Sequence, residues 1–293
     1  MRSLGLRFWV LIFVLTVTVS ARKANAGFER RYVGARALGA AGAVGTIGED
    51  CWSFYFNPAR SADISEINLF YSPAILGLPE LKATGLAVRS DLLGFSLGGG
   101  VQSFGCKLYR ETVFTLNISR PLADFVFLGC NLNLNHLFIK GYGTDMSESL
   151  DLGTKIFLAE HVAISGAVTN LSSTSMTVSN DRLPQTFTFG IGFVSEEVNV
   201  EVDYFKELGF PSAVRVAAEY SPTKEFIMRV GTTSGTSSIH AGVGLQVFSL
   251  ELDYGMAYHQ VLGMTHSVGL SFRIGGESRS DFESIESYRE SLK

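Results

Sequence analysis

The chain has 293 residues, of which 46% are apolar, 12% aromatic and only 18% charged, with 31 glycines against 7 prolines. An ordinary soluble domain carries about 25% charged residues. So apolar a chain is not disordered, and without a Gly or Pro period it is not collagen-like. Such a composition ordinarily signals transmembrane helices, yet beyond the first twenty or so residues the sequence contains no run of about 18 apolar residues.

At the start, Arg2 and Arg7 precede an apolar or Thr-diluted stretch over residues 8–19, and Ala24-Asn25-Ala26 supplies small residues for a cut. This pattern predicts a cleaved secretory signal peptide over 1–26. Its loss removes Arg2, Arg7, Arg22 and Lys23 and shifts the formal net charge from −4 to −8. That balance leaves no basic patch for phosphates and excludes nucleic acid as a partner. Cys51, Cys106 and Cys130 have no C-x-x-C spacing, so no zinc site is expected, and three thiols permit one disulfide at most.

Residues 27–62 form a distinct segment. Gly34-Ala35-Arg36-Ala37-Leu38-Gly39-Ala40-Ala41-Gly42-Ala43 allows close backbone packing but weakens any helix. An aromatic cluster of Trp52, Phe54, Tyr55 and Phe56 follows, ending in the turn signal Asn57-Pro58.

From about residue 65 the texture changes to period two, which places alternate residues on opposite faces of a strand. In Leu250-Glu251-Leu252-Asp253-Tyr254 the apolar and polar sets alternate cleanly, and Val268, Leu270, Phe272 and Ile274 alternate with Ser267, Gly269, Ser271 and Arg273. Candidate strands cover 65–72, 81–90, 92–101, 110–120, 125–135, 149–158, 161–170, 185–195, 197–206, 212–221, 224–232, 238–247, 248–259 and 265–275. Between them, Pro121-Leu122-Ala123-Asp124 and Ser221-Pro222-Thr223-Lys224 read as turns, and 141–148 and 170–184 as longer polar loops. Strands of about 9–11 residues suit a tilted crossing of a hydrocarbon core, whereas sandwich strands average nearer 5–6. Tyr71, Tyr204, Tyr220, Tyr254 and Tyr258 suit an interfacial girdle, and no dry sandwich core would accept the Asn, Glu, Asp and Arg of the other face. The expected fold is all-β, a transmembrane antiparallel barrel of about 14 strands over 63–275, closed so that no edge is left in lipid. Residues 276–293 would be a polar periplasmic tail, and Cys130, in phase with Leu128 and Leu132, would face lipid.

The stretch 34–43, then Glu49-Asp50, then Tyr55-Phe56-Asn57-Pro58-Ala59, resembles the N-terminal signature of the PorV/PorQ family within the FadL-like superfamily. Leu183-Pro184-Gln185-Thr186-Phe187, Met228-Arg229-Val230-Gly231 and the terminal strand ending Ser271-Phe272-Arg273 extend the likeness, while Cys51-Trp52 and Arg60 depart from it. The resemblance implies an outer-membrane barrel, assembled by the barrel assembly machinery, with 27–62 folded into the lumen as a hatch. It further implies a passive channel for hydrophobic solutes or, in the PorV-like alternative, a structural component associated with type IX secretion proteins. On the first reading, Trp52, Phe54, Tyr55, Phe56, Asn57 and Pro58 are candidates for a hydrophobic ligand or the hatch. Arg36, Arg215, Glu219, Arg229, Glu251 and Asp253 are candidates for a lumenal charge network. No G-x-S-x-G elbow or His-rich spacing occurs, so no catalytic residue, metal or cofactor is expected.

Overall fold

The computed structural model describes residues 27–28, 32–48, 50–59, 65–92, 94–123, 125–235, 238–274 and Glu290. The expected signal peptide, Arg60 and, apart from Glu290, the polar tail lie outside the described residues.

Fourteen strands close into one antiparallel barrel, each paired with its neighbours in sequence: β1 (Ser65–Ala74), β2 (Lys82–Leu92), β3 (Phe95–Gly105), β4 (Tyr109–Ala123), β5 (Val126–Ile139), β6 (Gly143–Ala159), β7 (Val162–Thr169), β8 (Thr186–Phe193), β9 (Val198–Glu207), β10 (Ala213–Thr223), β11 (Phe226–Thr233), β12 (Ser238–Val247), β13 (Leu250–His259) and β14 (Gly263–Ile274). β14 returns to β1 in a register running from Ser65 opposite Ile274 to Tyr71 opposite Val268, which satisfies the last edge. At the end carrying both barrel termini the links are two to four residues long; at the other end they run from three to sixteen.

The alternation is inverted relative to a soluble protein. On β13, Glu251 and Asp253 are buried while Leu252, Tyr254 and Tyr258 are exposed. The five girdle tyrosines all lie on the outer surface, as does Cys130, which is intermediate in exposure between exposed Leu128 and Leu132. All three cysteines are free thiols.

Two expectations are corrected. The stretch 141–148 is not a loop: β6 begins at Gly143 and pairs with β5 through Asp145, Ser147 and Ser149, which face inward. Its polar residues on both faces read as a loop because this hairpin is built from polar as well as apolar residues, Glu148 included, on its outer side. Pro121 and Pro222 belong to strands rather than turns, each beside a register shift, where a missing N–H costs no ladder bond.

Residues 32–59, where described, fill the lumen. They contain a five-residue helix, α1 (Ala35–Gly39), packed against β11 to β14, and a single 3-10 turn (Ser53–Tyr55). Inward-facing glycines make room for this plug. A Cβ on Gly255 would collide with the carbonyl oxygen of Ala35, and one on Gly129 with that of Pro58. Gly255→Val is therefore expected to unseat the plug at an overpacking cost of about 1–3 kcal/mol. Limited proteolysis checks this: faster cleavage within 32–59, with heat-modifiable migration of the barrel retained, is the expected result, and unchanged protection would contradict it.

Candidate functional site

The plug has little regular structure, so its backbone groups need partners from the wall. Glu201 accepts hydrogen bonds from the N–H groups of Thr46 (2.8 Å) and Ile47 (3.0 Å), and Glu66 accepts one from Cys51 N–H (3.3 Å). Asn131 and Asn117 donate through their side-chain amides to the carbonyls of Phe54 (2.9 Å) and Pro58 (3.0 Å). His240 Nδ1 lies 2.7 Å from Leu38 O.

The six aromatic-cluster candidates do not form one pocket. Trp52 and Phe54 are buried against Phe70 and Ala87 of the wall, with the indole N–H donating to Asn68 Oδ1 at 2.8 Å. Asn57 donates to Thr154 O (3.2 Å) and closes a local turn by accepting from Ala59 N–H (3.0 Å), with buried Pro58 beside it. Phe56 borders a space of about 20 Å³ shared with Tyr32 and Arg215. Of the six, only Tyr55 lines the main cavity. Trp52, Phe54 and Pro58 are wedges that seat the plug, their apolar bulk packed against inward glycines of the wall rather than lining open space, and Asn57 is tied to the wall by its amide.

The main cavity, of about 720 Å³, extends from Leu76, Phe210 and Leu262 in the links at the loop end down to Val33, Leu38 and Tyr55 of the plug. A smaller one of about 170 Å³ lies toward the opposite end, beside Arg36 and the turn residues Glu197 and Lys224. The plug stands between them.

Five of the six charge candidates meet beside the smaller cavity. Arg36 of α1 donates from Nε (3.0 Å) and Nη2 (2.9 Å) to both oxygens of Glu219 on β10, a bidentate pair. Arg229 on β11, fully buried, donates to Glu219 (3.2 Å), Glu251 (3.2 Å) and Asp253. Arg215 is not part of this network. It stands opposite Asp203 in the β9–β10 register, with its guanidinium carbon 3.8 Å from the centre of the Phe205 ring. The network also has members that sequence reasoning missed: Arg273 binds Glu251 at 3.1 Å and lies 3.7 Å from Glu66. Period two had put Arg273 on the inward face, but its partners sit on β13 and β1, which only register brings together. Among the described residues, no group of three His, Cys, Asp or Glu is placed to hold a metal ion.

The sequence matches no family model and no curated protein. Its fold is similar to solved structures of outer-membrane transport barrels. The Ralstonia pickettii toluene transporter TbuX superposes with a TM-score of 0.59 over 85% of this chain and 98% of that one, at 12% identity. The CymD monoaromatic hydrocarbon channel superposes at 0.60 over 84% and 98%, with 11% identity. A Pseudomonas aeruginosa FadL homologue superposes at 0.54 over 85% and 98%, with 12% identity. At such identities the likeness is one of fold, a closed fourteen-stranded antiparallel barrel.

Removing one partner from a buried ion cluster strands the others in a low dielectric, at about 3–5 kcal/mol. Arg229→Leu takes a cation from Glu219, Glu251 and Asp253 at once, leaving Arg36 on Glu219 and Arg273 on Glu251 but no described arginine on Asp253, and is expected to lose stability in that range. Arg36→Leu leaves Glu219 bound to Arg229 and is expected to cost clearly less. Thermal unfolding of the two variants, read by heat-modifiable migration, decides the order.

Proposed function

We propose that the protein is an outer-membrane channel for passive movement of hydrophobic solutes, in which residues 27–62 act as the hatch. The observation that carries this reading is the placement of the plug between a cavity of about 720 Å³ at the loop end and the charged space at the other. Tyr32, Val33, Leu38, Phe70, Phe104 and Phe205 give that cavity apolar surface in which a water-poor ligand is favoured. The bidentate Arg36–Glu219 pair joins a plug side chain to the ion network of the wall, which makes it the natural latch. TbuX, a toluene transporter, and CymD, a monoaromatic hydrocarbon channel, share the fold and agree with a hydrophobic cargo.

The PorV-like alternative rests on the signature residues 34–43 and 55–59, which build the plug and its seat in the wall. It predicts co-purification with secretion-system proteins from native membranes.

Uptake of a labelled long-chain alcohol into vesicles containing the purified chain separates the readings. The channel requires uptake above that of protein-free vesicles, and several-fold faster uptake in Arg36→Leu. Wild-type uptake at the protein-free rate would sink it.

A further inference from the structure

The wall of the main cavity carries a polar stripe on β5 and β6, and its hydrogen bonds are unevenly used. Asn133 is satisfied at both ends of its amide: Oδ1 accepts from Thr115 (2.7 Å), and Nδ2 donates to Asp151 (2.9 Å). Asp151 also accepts from Asn131 (3.3 Å) and from the Asn170 backbone N–H (2.8 Å). One turn of the pleat nearer the loop end, Asn135 donates from Nδ2 to Ser147 O (3.3 Å) and to Ser149 Oγ (3.1 Å). Among the described residues nothing donates to Asn135 Oδ1, and the Ser149 hydroxyl donates to nothing. Both residues are more than nine-tenths buried, and both line the cavity. The cavity therefore presents, within one hydrogen-bonded pair of side chains, a vacant acceptor and a vacant donor. Val113, directly opposite Asn135 on β4, and Phe104 on β3 line the same cavity and give it apolar surface.

We infer that this pair is a recognition site for the hydroxyl group of an otherwise apolar ligand, an alcohol or phenol; the inference rests on the channel reading above. A hydroxyl is both donor and acceptor, so it can donate to Asn135 Oδ1 and accept from Ser149. A carboxylate can accept but not donate, so it leaves Asn135 Oδ1 unsatisfied and brings a second negative charge toward Asp151. A plain hydrocarbon leaves both polar groups dry and unpaired, which a buried site discriminates against.

The test uses the full chain in lipid nanodiscs, titrated with 2-naphthol, naphthalene and 2-naphthoate, and subtracts partition into protein-free discs. The expected result is 2-naphthol binding about tenfold more tightly than naphthalene, with 2-naphthoate the weakest. Asn135→Leu is expected to erase the tenfold preference while keeping naphthalene binding. Should that variant fail to assemble, Ser149→Ala removes one hydroxyl and is expected to reduce the preference several-fold. Equal binding of 2-naphthol and naphthalene, or tightest binding of 2-naphthoate, overturns the hydroxyl assignment and leaves the channel reading standing. Binding of none of the three above protein-free discs overturns the channel reading and this inference together.

Discussion

An irregular chain can lie inside this barrel because the inward polar side chains and the plug's backbone satisfy each other. Among its described residues the plug makes one short helix, one 3-10 turn and a few turn bonds such as Ala43 N–H to Ala40 O, and other backbone groups turn to the wall. Glu201, Glu66, Asn117, Asn131 and His240 meet them instead. Neither half is stable alone in a dry setting. An unfilled wall would leave carboxylates and amides to water in the lumen, and an unhoused plug would lack both partners and burial. The polar lumen that distinguishes a membrane barrel from a sandwich is thus, here, largely the binding site for the protein's own N-terminal segment.

The division of the lumen follows from that constraint. Where glycines face inward, as at Gly129, Gly153 and Gly255, the plug touches the wall backbone and space closes. Toward the loop end a cavity remains above Val33, Leu38 and Tyr55 of the plug. Below it, three arginines and four carboxylates knit α1 to β10, β11, β13, β14 and β1. Arg229 holds three of those acids and belongs to the wall, whereas Arg36 belongs to the plug and shares Glu219 with Arg229. The network is therefore a structural floor to which the plug is tied through Arg36 and through the Cys51 N–H on Glu66.

Much of the fold is legible from residue type and spacing. Period two assigned β13 and β14 to their faces, and Arg229, Glu251 and Asp253 to the lumen, because a strand allows a side chain only two directions. It failed at 141–148, where the polar-on-both-faces hairpin of β6 looks like a loop, and at Pro121 and Pro222, where a bulge tolerates what a regular ladder does not. For the aromatic cluster the residue types left a ligand site and the hatch both open, and of the six only Tyr55 lines the main cavity. Composition marks Trp52 and Phe54 as apolar, but it cannot say whether a glycine track or an open cavity will stand opposite them.

The sequence by itself determined which residues face lipid and which face the lumen, that there would be fourteen strands, and that a small-residue segment would precede them. These follow from local stereochemistry and from the ban on unpaired backbone in hydrocarbon. Only the tertiary structure decided that Arg36 meets Glu219, that Arg273 joins the network while Arg215 leaves it for Asp203 and Phe205, and that Asn135 and Ser149 share a vacant donor and acceptor. Those pairings depend on strand register and on the path of the plug across the lumen, both fixed by contacts between residues far apart in sequence.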